Sequence, residues 1–441
     1  MNNLLQFSSL KRFIQSRWYP GLFQWAAMLV FAVIVVELVA GTVNPSRNFG
    51  TSMTWVLWWP AIPVLFLVLG RFWCAVCPFG KLSDLVRKAV GAERPMPRFL
   101  KKYGIWFIDF FFILITWSDH IWGIVESPRG SGYLLLLLTT MVVGTSVFYE
   151  RRTFCKTLCF LGGLAGNYSR SGMLALRGTP EICKGCKTQS CYRGNEKAEG
   201  CPMFEFVKTM DNSADCNLCG NCVKSCPNDS VRISLRKPTS ELWGIGKPRM
   251  EHAFLAAVIM GIVFVQNITM LEIWQQILGV IGKVTGTANY NVNFTVAFIC
   301  SMLIPIGLLW LAARLTAGSS QPKDAVMKNF IRFGYAIIPL DLAGHLAHNL
   351  FHAFTEGKAV WFNTTGLFGY PMSGDLALAS TGVVQLLQYL VVVLGLAGSV
   401  YAVYRIGGRA SWRKLLPYYA LMLLLAAINI YLFSLPMMHR V

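Results

Sequence analysis

The cysteines are the residues whose spacing in this sequence specifies chemistry most clearly. Eight of the 13 fall into two runs between residues 183 and 226. The runs read Cys183-x2-Cys186-x4-Cys191-x9-Cys201-Pro202 and Cys216-x2-Cys219-x2-Cys222-x3-Cys226-Pro227. Closely spaced thiolates in a tight loop suit an iron–sulfur cluster, whereas a zinc site rarely has four cysteines within eleven residues ahead of a proline. The spacing therefore favours iron–sulfur clusters over two zinc ribbons.

The second run has the spacing of the bacterial two-cluster ferredoxins, in which the fourth cysteine of each run ligates the cluster of the other run. This resemblance implies two [4Fe–4S] clusters and a role in electron transfer. The first run has two extra residues before Cys191 and six before Cys201, so its loop is larger. The implied ligand sets are Cys183, Cys186, Cys191 and Cys226 for the first cluster, and Cys201, Cys216, Cys219 and Cys222 for the second.

Two further cysteine pairs lie outside these runs, each where a predicted membrane helix ends. In both segments an arginine and an aromatic residue precede the pair and a glycine-containing turn follows it. Four thiols from two equivalent helix ends would bind a third cluster or another metal, act as redox dithiols, or stay isolated buried thiols. Cys300, alone in a predicted span, is expected to be a small core residue. The helix-end cysteines are Cys74, Cys77, Cys155 and Cys159.

A stripe of histidines forms a second candidate site. His345, His348 and His352 occur at offsets 0, 3 and 7, which places them on one face of a helix. Polar residues at membrane depth are costly and usually mark a pathway or a site inside the bundle. One function for this histidine stripe is a quinol site, in which Asp341, His345 and His348 accept protons while apolar and aromatic neighbours hold the ring.

Two other functions for the histidine stripe stay open. His120 and His439 are predicted to end at the same membrane level, so either could pair with one of the first two stripe histidines as axial ligands of a haem b. Met437 and Met438 supply thioethers that favour Cu(I), so a copper or iron site is the third alternative. The residue types alone do not separate quinol, haem and copper.

The composition predicts the membrane elements that position these residues. The chain has 441 residues, of which 54% are hydrophobic and 14% charged, whereas soluble domains carry about 25% charged residues. A bilayer core of about 30 Å needs about 20 apolar residues per helix, and nine segments qualify. The predicted spans are 21–43, 53–70, 104–125, 132–149, 253–271, 292–313, 330–352, 380–403 and 417–436.

The basic residues predict the orientation. With the amino terminus in the cytoplasm, only five of the 40 lysines and arginines fall on the outer side. This bias predicts a bacterial inner-membrane protein whose carboxyl terminus is outside. The formal charge of +19 then reflects membrane topology, so no nucleic-acid partner is expected. The five outer basic residues are Arg47, Arg129, Lys283, Lys358 and Arg440.

The predicted fold is an all-α polytopic membrane bundle with an inserted cytoplasmic α+β ferredoxin domain. Residues 1–149 form four spans and carry the first helix-end pair. Residues 150–250 carry the second pair and a double [4Fe–4S] domain over about 180–235, in a compartment where structural disulfides are disfavoured. Residues 251–441 form five spans with the outer histidines.

Over about residues 20–240 the chain resembles the membrane polyferredoxin family, which includes NapH, the carboxyl-terminal half of NosR, and CcoG. The shared features are several spans, two Cys-x3-Cys-Pro motifs at cytoplasmic helix ends and a double-cubane module. The first helix-end spacer is one residue shorter here, and Phe160 stands where the second motif has proline.

The resemblance implies a membrane electron-transfer protein that exchanges electrons with the quinone pool and a partner redox protein or metalloenzyme. The alternative that it implies is an assembly factor that reduces a metal for a periplasmic or membrane metalloenzyme. The cysteine spacing does not encode the direction of electron flow. We find no nucleophile triad, phosphate loop or Rossmann fingerprint, so no chemistry beyond redox is predicted.

Overall fold

The computed structural model describes residues 3–317 and 323–437, and most of them are helical. The chain divides into two compact units, each built from segments that are distant in sequence. The predicted division of the chain at residues 149 and 250 stays a prediction, because these units group segments by contact and not by order. The first unit comprises Met1–Val35, Val64–Phe111 and Leu134–Gly246, and the second comprises Val36–Pro63, Phe112–Tyr133 and Lys247–Val441.

Seven helical segments among the described residues are long and apolar enough to cross a bilayer. Each corresponds to one predicted span, so the structure fits a multi-pass membrane protein. The seven segments are Gly21–Ala40, Phe49–Val90, Pro128–Phe148, Met250–Ile268, Tyr290–Ala317, Thr381–Gly407 and Trp412–Ser434.

The other two predicted spans are helical but carry more polar residues. Span 104–125 falls on Arg98–Trp122, which buries Asp109. Span 330–352 is interrupted, and its second helix contains Asp341 and the histidine stripe. These polar groups lower the hydropathy of both segments, so the total of nine spans and the orientation stay predictions. The interrupted span consists of the helix Lys323–Gly334, the 3₁₀ turn Tyr335–Ile337 and the helix Ile338–Thr355.

The segment Phe49–Val90 is not one regular helix. It passes through a π-helical stretch over Ser52–Trp58 and breaks at the 3₁₀ turn Gly70–Phe72. Gly70 has a φ of +59°, a left-handed conformation that glycine adopts without steric cost. The break ends the helix Trp59–Leu69, and the first helix-end cysteines follow it directly. Two short helices continue the segment, Trp73–Val76 and Pro78–Val90.

Four strands form two ladders in the cysteine-rich part of the first unit. The strand Leu174–Gly178 lies antiparallel to Val231–Leu235, with Leu174 opposite Leu235 and Gly178 opposite Val231. Gly194–Asn195 pairs with Ala198–Glu199 in a second, shorter ladder. The first ladder therefore brackets both cysteine runs, and the second lies between Cys191 and Cys201. The helices of this region are Thr153–Thr157, Phe160–Ser169, Pro180–Lys184, Ser190–Arg193, Asn221–Ser225 and Ser240–Trp243.

The amino-terminal segment belongs to the core of this cysteine-rich region. The helix Ser8–Gln15 is amphipathic and buries Ile14, while Leu5 lies in the preceding 3₁₀ turn Leu4–Gln6. Both side chains pack in one hydrophobic cluster with Tyr19, Leu176 and residues of the second cysteine run. Burial of this apolar face accounts for the helix, since short isolated helices are marginal in water. The first predicted span begins only at residue 21, so this packed segment was not predicted from the sequence.

The helix Ile338–Thr355 is the most buried polar element of the second unit. It packs closely on Thr381–Gly407, and Gly395 leaves no room for a side chain there. A Cβ added at Gly395 would lie 2.3 Å from the Cβ of Ala343. Side-chain hydrogen bonds join the same helices: Gln388 Nε2 donates to the Ala347 carbonyl at 3.0 Å. Small residues at such contacts let membrane helices approach closely. The shorter helices Trp274–Thr285 and Lys358–Leu367 complete this unit.

Candidate functional site

The thiols of Cys183, Cys186, Cys191 and Cys226 lie close together. Loss of water around Cys191 raises its pKa, and the neighbouring sulfurs of Cys226, Cys183 and Cys186 raise it further. The second run therefore delivers its last cysteine to the first group. The structure brings together the residues predicted for the first cluster, and their role as its ligands stays a prediction.

The thiols of Cys201, Cys216, Cys219 and Cys222 form a second group. Burial raises the pKa of Cys216 to about 12 and that of Cys219 to about 11, and Cys201 contributes to both shifts. Burial also raises the pKa of Cys222 well above its usual range, and the sulfurs of Cys216, Cys219, Cys201 and Cys191 add to the effect. Because Cys191 belongs to the first group, the two groups are neighbours. Such adjacency suits electron exchange between two clusters.

Backbone amides donate hydrogen bonds to these sulfurs, and one hydroxyl lies within hydrogen-bonding distance of a sulfur. The amide of Glu205 lies 3.4 Å from the sulfur of Cys201, and the amide of Ser230 lies 3.3 Å from that of Cys226. The hydroxyl of Ser230 also lies 2.9 Å from the sulfur of Cys183. Hydrogen bonds to sulfur are among the factors that set the reduction potential of an iron–sulfur cluster.

The amino-terminal segment closes over the loop between Cys216 and Cys222. The hydroxyl of Tyr19 donates to the Leu218 carbonyl at 2.6 Å. Gly220 has a φ of +80°, and a Cβ there would lie 2.8 Å from Ile14. Tyr19 and Gly220 were missed as site residues. The amphipathic pattern of residues 8–15 was the signal that could have revealed a packed segment.

The four helix-end cysteines also come together. Desolvation raises the pKa of Cys159, and the sulfurs of Cys155, Cys77 and Cys74 raise it further. The amide of Gly162 donates to the Cys159 carbonyl at 2.8 Å, and the amides of Gly80 and Gly162 lie near the sulfurs of Cys77 and Cys159 respectively. The two segments thus share a glycine amide three residues after the second cysteine. The predicted convergence is present, while the bound group stays a prediction.

Two arginines beside these thiols were not predicted as site residues. Arg71 and Arg152 are only 3% and 4% exposed. The Nε of Arg71 lies 3.4 Å from the sulfur of Cys74, and Arg152 Nη1 donates to the carbonyl of Cys74 at 3.3 Å. Each arginine precedes a cysteine by three residues, Arg71 before Cys74 and Arg152 before Cys155. The echoed arginine was visible in the sequence, but its burial was not.

Within residues 3–317 and 323–437, no three histidine, cysteine or carboxylate side chains lie in the arrangement that holds a single metal ion. The ligands of a four-iron cluster bind different irons and are spread around it, which is a different arrangement.

The histidine stripe is buried in the second unit. His348 Nδ1 lies 2.7 Å from Asn267 Oδ1, and the rings of His348 and His352 are 5.2 Å apart. His345 instead packs on Trp59, with ring centroids 5.5 Å apart. The structure therefore brings together two of the three imidazoles directly. Asp341 on the same helix is fully buried.

Glu356 is a further buried carboxylate that sequence reasoning missed. Its Oε1 lies 3.3 Å from His352 Nδ1, one helical turn away, and both side chains are buried. The pair borders a cavity of about 40 Å³ that is also lined by Ser52, Trp55 and Glu126. The offset of four residues between His352 and Glu356 was the available signal.

His120 makes its contacts elsewhere in the second unit. Its Nδ1 lies 2.9 Å from the Thr116 carbonyl, its Nε2 lies 3.4 Å from Thr269 Oγ1, and its ring stacks on Phe294. Both ring nitrogens are thus within hydrogen-bonding distance of protein groups. Met437 packs on a small hydrophobic cluster that includes Phe351.

Three remaining predictions concern single residues. Met438 and His439 lie outside the described residues. The expectation that Cys300 is a core residue is wrong, because its side chain is exposed. It lies on a membrane-spanning helix, where an apolar thiol can face lipid.

Comparison with known proteins supports iron–sulfur binding. A family model described as a 4Fe-4S binding domain matches residues 51–100 and 131–176. Each matched segment contains one pair of helix-end cysteines, whereas the two runs between residues 183 and 226 lie outside both segments.

Two curated proteins are similar to this chain. The "Putative electron transport protein YccM" of Escherichia coli is 26% identical over 271 residues, which cover 55% of this chain and 71% of that protein. An uncharacterized protein of Methanocaldococcus jannaschii is 27% identical over 210 residues, covering 46% of this chain and 79% of its own length. No solved structure matches.

Proposed function

We propose that this protein is an integral-membrane electron-transfer protein that oxidises a quinol and passes the electrons to iron–sulfur clusters. The convergence of twelve cysteines into three groups of four is the observation that carries this proposal. The match to a 4Fe-4S binding domain and the similarity to YccM, whose name describes electron transport, support the same function.

The two groups between residues 183 and 226 fit one [4Fe–4S] cluster each. Each offers three thiols from one cysteine run and a fourth from the other, with hydrogen-bond donors beside them. The clusters, when bound, supply one-electron transfer. The protein's own contribution is to hold the thiols, to exclude water from the second group, and to keep the two groups adjacent.

The helix-end cysteines fit a third iron–sulfur centre better than a simple dithiol. Four thiols meet there, and both segments match the same 4Fe-4S binding domain. Burial raises the pKa of Cys155, which the nearby Arg152 guanidinium lowers in part. Because metal ligation requires thiolates, adjacent positive charge favours it.

The second unit supports a quinol site better than a haem or copper site. Oxidation of a quinol releases two electrons and two protons, so the site needs bases beside an apolar wall. His352 and Glu356 supply the bases at a cavity of about 40 Å³, which has room for water and not for the quinol ring itself, and Trp55 lies on the same cavity. Of the two histidines predicted to pair with the stripe in a haem site, His120 already has both ring nitrogens facing Thr116 and Thr269.

Electrons are expected to leave through the first four-thiol group. The exposed Lys184 and Lys187 flank Cys186 in the sequence, and the exposed Lys208 donates from its Nζ to the Lys184 carbonyl at 3.2 Å. A hydrogen bond from Thr188 is the main cause that lowers the pKa of Cys186, and Lys208 contributes. This basic surface, completed by Lys187, suits an acidic redox protein as the electron acceptor.

Anaerobic purification tests this function. Iron, sulfide, haem and copper are measured together with the electron paramagnetic resonance (EPR) spectrum of the protein. We expect about twelve irons and no haem, since three four-iron clusters would be present. Haem in stoichiometric amount would contradict the quinol placement. Reduction of Cu(II) without any turnover of quinol would favour the assembly-factor function instead.

Variants at the stripe test the placement of the quinol. We expect His352→Ala to slow quinol-dependent cluster reduction strongly, while His120→Ala keeps the rate within a few-fold of the wild type. Equal rates for wild type and His352→Ala, at equal iron content, would place quinol oxidation elsewhere.

A further inference from the structure

Arg71 and Arg152 enclose the helix-end cysteines in a reciprocal arrangement. A Cβ added at Gly80 would lie 1.9 Å from Arg152 Nη1, and one added at Gly162 would lie 3.3 Å from Arg71 Nη2. Each arginine therefore occupies the space that the glycine of the other segment leaves open. The site has two guanidinium groups built into its walls.

Each arginine carries its charge beside the thiols and also pairs with one carboxylate, Arg71 with Asp215 and Arg152 with Asp84. Guanidinium groups stay protonated, and neither side chain is more than 5% exposed. Their carboxylate partners are nearer the solvent: the side chain of Asp84 is 27% exposed and that of Asp215 is 39% exposed. Water and salt screen exposed charges more than buried ones. The arginines are thus the less screened half of each ion pair.

Arg71 also joins the helix-end cysteines to the second four-thiol group. Its Nη1 donates to the Ala214 carbonyl at 2.8 Å and lies 3.3 Å from Asp215 Oδ1. These residues directly precede Cys216. The loop that they form is itself fixed, because the buried Glu241 accepts hydrogen bonds from the amide and hydroxyl of Ser213. One guanidinium group therefore contacts Cys74 on one side and the Cys216 loop on the other.

We propose that Arg71 is a positioning residue that raises the reduction potential of the helix-end centre and fixes this centre beside the Cys216 loop. An added electron makes a thiolate-bound centre more negative, so buried positive charge stabilises the reduced form. The centre would then accept electrons readily and relay them to the second group. This inference rests on the proposed function, in which the helix-end cysteines hold a cluster.

Redox titration of the purified full chain, followed by EPR, tests the role of Arg71. We expect Arg71→Gln to lower the reduction potential of the helix-end centre. The equilibrium constant for its reduction should fall at least tenfold, which corresponds to about 59 mV for one electron. Arg71→Lys keeps the charge and should restore most of the potential. Arg87→Gln is the matched control, because Arg87 pairs with Glu93 and Glu199 and should leave the potential unchanged.

A second variant keeps the test decisive if Arg71→Gln loses iron. Asp215→Asn removes the carboxylate that offsets Arg71, so the potential of the helix-end centre should rise. An unchanged potential in Arg71→Gln, or a fall in Asp215→Asn, would overturn the inference. A wild-type content of about eight irons with no third signal would overturn the proposed third cluster as well. About twelve irons with a potential insensitive to Arg71 would overturn this inference alone.

Discussion

The cysteine sites of the first unit and the histidine site of the second unit differ in how their residues are assembled. Each cysteine group draws on two short segments of the chain, which supply three members and one in the groups between residues 183 and 226, and two members each in the helix-end group. The histidine stripe lies on one helix, while its contacts come from remote segments, such as Asn267 and Trp59. The spacing of ligands within a short loop determines which cofactor the loop can bind. The residue pattern on one helix face determines only which side chains are buried together.

The same difference affects the chemistry. Each cysteine group has four equivalent soft ligands, a number that matches the coordination of an iron–sulfur cluster. The imidazoles of the stripe are already engaged in separate contacts. Among these contacts, the pair of His352 and Glu356 is the one that borders the cavity. We therefore expect substitutions at the cysteine sites of the first unit to remove a cluster. Substitutions at the histidine site of the second unit should instead slow quinol oxidation.

Removal of one cysteine ligand gives the largest expected effect. Cys219→Ser should abolish the cluster of the second group and lower the iron content by about four per chain, because a hydroxyl is a poor replacement for a thiolate. Iron and sulfide analysis of the purified protein measures this loss.

Cys300→Ser is the control for that variant, since Cys300 is exposed and lies far along the chain from the cysteine groups. Full iron content in Cys219→Ser would show that the sequence spacing misassigns this ligand.

Glu356→Gln should produce a large loss of rate with no loss of iron. The amide cannot accept a proton, and proton transfer by a positioned side chain contributes roughly 10²–10⁴-fold. We expect quinol-dependent cluster reduction to slow by about 100-fold. Asp375→Asn removes an exposed carboxylate of the same unit and should keep the wild-type rate. A loss of iron in Glu356→Gln would contradict the contrast between the two units.

Gly80→Ala should disturb the helix-end cysteines without removing any ligand. The new methyl group would overlap Arg152 Nη1, and overpacking of a close contact costs about 1–3 kcal/mol. Thermal unfolding in detergent measures the change. Gly144→Ala is the matched control, because a Cβ there has no neighbour within 4 Å. Equal destabilisation by both variants would mean that Arg152 does not need the space beside Gly80.

Tyr19→Phe should have the smallest effect. It removes the hydrogen bond to the Leu218 carbonyl but keeps the ring, so the free energy of unfolding should fall by about 1 kcal/mol. Tyr103→Phe, at an exposed position, should leave stability unchanged. Identical unfolding midpoints for wild type and Tyr19→Phe would show that the amino-terminal segment is not coupled to the Cys216 loop.

The cysteine groups could be predicted from the sequence because their spacing is local. The exchange of fourth ligands between the runs followed from the ferredoxin pattern, and the structure places Cys226 near Cys191 and Cys201 near Cys216. The meeting of the helix-end pairs was also predictable, because both segments repeat the same order of residue types. The burial of Arg71 and Arg152 was not, since arginine at a membrane border usually faces headgroups or water.

Predictions in the second unit were weaker for a physical reason. Hydropathy identified the apolar spans, but the segment 330–352 combines apolar residues with buried polar ones and breaks at Tyr335–Ile337. The contact between His352 and Glu356 spans one helical turn and could be predicted from their spacing in the sequence. The contact between His348 and Asn267 joins residues 81 positions apart, and no local pattern indicates it.

The most direct test of the proposed function is the addition of a quinol to the oxidised, anaerobic, purified protein while the EPR spectrum is recorded. Electron transfer from quinol to the cysteine-bound clusters predicts the appearance of reduced iron–sulfur signals, at a rate that Glu356→Gln lowers. If dithionite reduces the clusters and the quinol does not, the proposed function is contradicted.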